Sequence, residues 1–134
     1  MATTIYPLRE RPRVASAGAA NEDVFSAKVE PGWTHVITSY GVEDEDTALT
    51  AIRVAIDSGG YPYWFEHQLN PVAATFYDGF KVQILSEGER IQARFIGSTS
   101  GDDLILILLG MKFPPGVELP PELMAMLLAR RPHA

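Results

Sequence analysis

One run constrains this chain more than any other: Leu104-Ile105-Leu106-Ile107-Leu108-Leu109. In an extended strand successive side chains point to opposite sides, so Leu104, Leu106 and Leu108 share one face and Ile105, Ile107 and Leu109 the other. A strand in a sandwich needs only one apolar face. Each large aliphatic side chain contributes roughly 1.5–3 kcal/mol when buried, which argues against a whole face left in water. The second face therefore requires a cover of its own. The run closes a longer stretch, residues 85–113, that reads as two strands joined by Gly97-Ser98-Thr99-Ser100-Gly101.

The 134 residues suffice for one domain with a real core. The longest strictly apolar run falls far short of the roughly 20 residues of a membrane helix, so no membrane partner is expected. The opening MATTIYPLRERPRV lacks the apolar core of a secretory signal, and none is expected. Absence of cysteine removes disulfide staples and thiolate metal sites. Residues 29–112 carry five Lys/Arg against twelve Asp/Glu. An acidic body is a poor match for a polyanionic backbone, so nucleic acid is not an expected partner.

Residues 1–23 read as an extended arm, with two prolines, three arginines and no periodic apolar pattern. They form either a frayed terminus or a segment laid on a neighbouring subunit, anchored by Ile5, Tyr6 and Leu8 with Arg9 and Arg11 meeting its acidic surface. Residues 24–113 read as an all-β domain. Strands are expected at 24–29, 33–40, 48–57, 61–69, 72–77, 80–85, 90–97 and 103–112, with a hairpin turn at Asp78-Gly79. LTAIRVAI within 48–57 also has helical spacing, but β-branched residues on one parity favour a strand. About eight short antiparallel strands imply a sandwich or jelly roll. Val29-Glu30-Pro31-Gly32 and Leu85-Ser86-Glu87-Gly88 echo one another as turns leading into strands. Residues 114–134 read as a proline-rich linker and a short docking helix, ELMAMLLARR, opened by Pro121 and closed by arginines. A helix of about ten residues is marginal alone. Its Leu123, Met124, Met126, Leu127 and Leu128 must dock, and they suit the surplus face of Ile105, Ile107 and Leu109, in the same subunit or in another.

No catalytic set is legible, and neither a metal nor a cofactor is expected. His35, His67 and His133 lack ligand spacing. The cupin comparison that a jelly roll invites fails at Ile37, where a second histidine would stand after Pro31-Gly32 and His35. Gly97 to Gly101 has the look of a nucleophile elbow, but Thr99 takes the nucleophile position and the context is strand–turn–strand. Glu43 to Asp46 offers oxygen ligands without the spacing of a dedicated calcium loop and reads as a solvated loop. Asp102 with Asp103, ahead of the apolar strand, reads as a guard against edge aggregation, with calcium ligation the alternative. In Tyr61-Pro62-Tyr63-Trp64-Phe65, Tyr61, Tyr63 and Phe65 share a face that can pack inward. Trp64 then points outward, free to stack on a ligand.

The run from Val24-Phe25 through Val29-Glu30-Pro31-Gly32 to Ile37-Thr38-Ser39-Tyr40, then Leu85 to Ile91 and Gly101-Asp102-Asp103-Leu104, resembles the small β-sandwich virion proteins of tailed bacteriophages, the head decoration (cement) and related accessory proteins. The resemblance implies a non-enzymatic virion subunit that forms a homo-oligomer and binds a capsid or other virion protein. The other reading is a carbohydrate- or receptor-binding module using Tyr61, Tyr63 and Trp64.

Overall fold

The computed structural model describes residues 4–130, with the side chains of Leu127 and Arg130 outside the description. Ten strands and one helix follow in chain order: β1 (Tyr6–Glu10), β2 (Arg13–Ala15), β3 (Asn21–Phe25), β4 (Thr34–Asp44), β5 (Ala51–Ser58), β6 (Tyr61–Leu69), β7 (Tyr77–Gly79), β8 (Gln83–Leu85), β9 (Glu89–Ile96), β10 (Asp103–Phe113) and α1 (Pro121–Arg130). Residues 51–58 are strand, as their β-branched parity favours.

Two antiparallel sheets form. In one, β10 lies between β4 and the tandem pair β1 and β2, and β7 with β8 flanks β4 on its other side. The second runs β3-β9-β5-β6. If each tandem pair is counted as one strand, first pairs with last, second with seventh, third with sixth and fourth with fifth. This is one long hairpin rolled into a sandwich, the order of a jelly roll.

The crossovers converge. At one end, backbone hydrogen bonds join residues 16–20, 44–50, 70–74 and 97–102: Gly97 N–H to Ala20 O, Leu49 N–H to Pro71 O and Ala74 N–H to Asp44 O among them. At the other, the two echoing turns hold each other, Gly88 N–H donating to Val29 O and Gly32 N–H to the Glu87 carboxylate.

Between the sheets lies the main core, with Leu104, Leu106, Leu108, Val24, Ile52, Ile56, Ile91 and Phe95 fully buried. Within the arm expected at 1–23, the described residues form β1, β2 and the start of β3, and so belong to this domain. Leu8 enters the core opposite Gly110, and β1 and β2 complete the edge of β10 in the same chain. Pro7 sits there without penalty because an edge strand need not donate on its outer side. A boundary at residue 23 therefore has no structural counterpart.

The second face of β10 is covered in three ways. Ile105 is fully buried between its cross-strand neighbours Arg13 and Glu43, with Arg13 tied to Glu45 and Asp103. Ile107 pairs with Gly41, where the Phe76 ring occupies the place of a side chain. Leu109 stays 44% exposed beside Arg9 and Ser39. A bulge after Leu109, with Thr38 the extra residue on β4, then shifts the register. Beyond it Val36, Met111 and Phe113 share the outer face, and residues 114–123 cross it to form a second cluster with Ile84, Val117, Leu119 and Leu123. The helix thus docks in cis, past the bulge, and does not cover Ile105 to Leu109.

The expected Asp78-Gly79 hairpin is also absent. Residues 77–79 are themselves a strand, β7, paired with β4. Gly79 lies under the Tyr40 ring, so its value is lack of bulk, not positive φ.

Two glycines of the β4–β10 ladder make a paired test. A Cβ on Gly110 would overlap the Val36 carbonyl oxygen, which belongs to backbone, whereas one on Gly41 would meet only the Phe76 ring, which can rotate away. Gly110→Ala is expected to lose about 2 kcal/mol or more in urea unfolding and Gly41→Ala about 1 kcal/mol; equal losses would refute the close approach at the bulge.

Candidate functional site

Three places hold the candidate residues. The first is the apolar surface left uncovered. Ile5, Tyr6, Leu109, Met124, Met126 and Leu128 are exposed, and so are Arg9 and Arg11. Tyr6 tilts against Trp33 with ring centroids 5.8 Å apart. Leu8 and Ile105, expected at an interface, are spent inside the chain, and Leu123 packs into the second cluster. Leu127 lies on the helix, with its side chain outside the described residues.

The second is the outer face of β3-β9-β5-β6. A bulge between Val54 and Ala55, with Phe65 the extra residue, sets Trp64 opposite Ala55 on the outer face. Tyr63 falls opposite Ile56, on the other side of the strand. Tyr61 and Tyr63 remain exposed. The three residues therefore share no single stacking platform, contrary to the expected Tyr61, Tyr63 and Trp64 set, and the two tyrosines do not pack inward.

Trp64 instead keeps company that sequence adjacency hides. Arg53 lies 4.3 Å from its ring centroid and Arg94 5.2 Å. Arg94 is held by a fork of two hydrogen bonds to Asp23, at 2.9 and 3.1 Å, which raise its pKa. One register step along, Arg90 covers the Phe25 ring at 3.7 Å and bonds Asp57. Arg53 has no carboxylate partner among the described residues. A hollow of about 330 Å³ opens beside it, lined by Arg53, Trp64, Phe65, Glu66, His67 and Lys81. Four of the five basic residues of 29–112 gather on this side of the molecule: cross-strand register brings Arg53, Arg90 and Arg94 together, and the β7–β8 connection adds Lys81 at the hollow.

Glu66 links the hollow to the interior. It accepts from the Tyr40 hydroxyl at 2.5 Å and from Lys81 at 3.2 Å, while Phe65 meets Tyr40 edge-on. Burial opposes its charge, but those two donors hold it below the usual carboxylate range. Burial, then the bond to Glu66, pushes the Tyr40 phenol up.

The third is the crossover end. The acidic loop and the pair ahead of β10, distant in sequence, meet there. Asp44, Asp46 and Asp102 place carboxylate oxygens within 4.8 Å of one another. Burial, then contact with Asp102, pushes Asp44 up to about 6. Thr99, the false nucleophile, uses its backbone N–H to hold Asp102. His35, at the cupin-like position, is buried with Nε2 3.4 Å from Glu30, and desolvation lowers its pKa in spite of that carboxylate.

No protein-family model matches this sequence, and no curated protein matches it either.

The Tyr40–Glu66 bond carries a pH signature. Glu66's folded pKa lies below its unfolded value of about 4.3, so its contribution is full above that value and is lost as pH falls through the folded one. Tyr40→Phe is expected to cost about 1–2 kcal/mol near pH 7, with the gap from wild type narrowing near pH 3 in urea unfolding. An unchanged gap would assign the loss to ring packing.

Proposed function

We propose that this chain is a non-enzymatic structural assembly subunit, of the kind that decorates a phage capsid or serves its head–tail region, and that it acts as a homo-oligomer. The observation that carries this reading is α1. Ten residues are too few for a stable isolated helix, yet only Leu123 of its described apolar side chains enters a cluster, while Met124, Met126 and Leu128 face solvent. A flexible Met/Leu surface of this kind suits a partner. Leu109 adds an apolar side chain on the same sheet's outer face, and Ile5 and Tyr6 add two at its edge. The jelly-roll order supports the reading at the level of analogy, since viral capsid domains use it, though lectins and cupins do as well.

Light scattering tests it. The full chain is expected to run as an oligomer, and Met124→Asp with Leu128→Asp is expected to lower the mass while leaving the β signal in circular dichroism intact. A wild-type monomer at high concentration that also fails to co-sediment with purified capsids would rule the proposal out.

A second reading, recognition of carbohydrate, is favoured by Trp64. Its half-buried ring beside Arg53 and the hollow offers a stacking surface with a cation at its rim. Arg53 directs the choice toward carboxylated sugars, because a guanidinium forks onto a carboxylate. On a glycan array acidic glycans should bind, and Trp64→Ala should lose at least about tenfold in affinity, a drop of about 1.4 kcal/mol. An array without hits removes this reading.

A further inference from the structure

We propose that the crossover end holds a calcium site built from Asp44, Asp46 and Asp102, tying the β4–β5 crossover to the β9–β10 crossover.

The argument begins with a buried oxygen. Asp44 is 2% exposed, and among the described residues its Oδ2 receives no N–H or hydroxyl donor, the polar group against this carboxyl being another carboxyl, that of Asp102. Its other oxygen, Oδ1, is used locally, accepting from the backbone N–H groups of Asp46 and Thr47 at 2.9 and 3.1 Å. A buried carboxylate oxygen left without a donor costs free energy, so such atoms call for a ligand.

What surrounds it is more negative charge. Asp102, itself 3% exposed, lies against Asp44, and Asp46 completes a triangle whose oxygens fall within 4.8 Å of one another. Each neighbour is fixed by one oxygen. Asp102 Oδ2 accepts from Thr99 N–H and the Thr47 hydroxyl, and Asp46 Oδ2 accepts from Asp103 N–H at 2.7 Å. Each keeps its second oxygen outside these bonds. Arg13, the nearest cation in the ion-pair network, is engaged by Glu45 and Asp103, and no Lys, Arg or His pairs with the three aspartates among the described residues.

The donor set decides the metal. It is all oxygen, with neither imidazole nor thiolate, which selects a hard cation. Calcium takes oxygens at about 2.3–2.6 Å, so ligands of one ion lie no more than about 5 Å apart. The observed 4.8 Å limit meets that condition. Water and the hydroxyls of Thr47 and Thr99 would complete calcium's larger shell.

The ligands come from two loops more than fifty residues apart, so the unfolded chain has no site and binding adds to stability. Thermal unfolding of the full chain near pH 7.5, in EDTA and then in rising calcium chloride at matched ionic strength, reads this directly. The melting temperature should climb with calcium, and calorimetric titration should give one ion per chain. Asp102→Asn should abolish the climb, and Asp78→Asn, on exposed β7, should keep it. Where Asp102→Asn fails to fold, Asp46→Asn, at the exposed turn, should weaken binding by about tenfold or more. The proposal is overturned if melting is the same in EDTA and in about 10 mM calcium, or if Asp102→Asn responds as wild type does. A third result, Asp44→Asn melting higher than wild type at every calcium level, would also overturn it by showing that the pair needs only a proton.

Discussion

Everything in this molecule depends on the antiparallel ladder between β4 and β10. It is the long central pairing of one sheet, and its bulge decides what each face of β10 is for. Before the bulge, Leu104, Leu106 and Leu108 feed the core between the sheets; after it, Met111 and Phe113 feed a separate cluster on the outer side. A strand apolar on both faces is usually buried between two layers. Here the second layer is piecemeal: an arginine stem over Ile105, a phenylalanine ring over Gly41, and the carboxy-terminal segment beyond. Side-chain period two makes the arrangement unforgiving, since a one-residue slip would move all of it to the wrong face.

The parts legible in the sequence were those with a local cause. Alternation in 104–109 gave the inner face correctly, and β-branched parity settled 51–58. The turn glycines at 32, 59, 60, 88, 97 and 101 all have positive φ, which is why they punctuate so clearly. The amino-terminal strands were hidden because β1 buries only Leu8 and surrounds it with arginines and a proline, a composition that describes an edge strand as well as a disordered arm. Asp78-Gly79 misled for a different reason. Glycine is used both where φ is positive and where another group comes too close for a Cβ, and only the structure distinguishes the two.

The candidate sites were less legible than the fold because each depends on register over long separations. Trp64 stood out as an outward aromatic, but its partners Arg53 and Arg94 come from β5 and β9, and Trp64 itself is set against them by the bulge in β6. Net charge was a poor guide here. A chain with formal charge −6 still assembles an arginine–aromatic face, because Asp23 and Asp57 neutralise Arg94 and Arg90 at short range while most of the acidic groups lie elsewhere. Interaction energies fall off over about 10 Å at moderate salt, so a ligand at Trp64 responds to Arg53 and its neighbours before it responds to the total.

The rolled-hairpin topology also explains why the chemistry of the two ends differs. At one end the two echoing turns close on each other through backbone and Glu87, so their needs are met by the chain itself. At the other end four crossovers meet, and their backbone bonds satisfy the peptide groups but leave three aspartates facing one another. A sheet sandwich opens most readily where its layers are joined by loops with few buried apolar contacts. Like charges at that seam push it apart. A divalent ion there would reverse the sign of the interaction between these carboxylates and tie the joined loops together, using none of the apolar side chains that Leu109 and α1 offer to a partner.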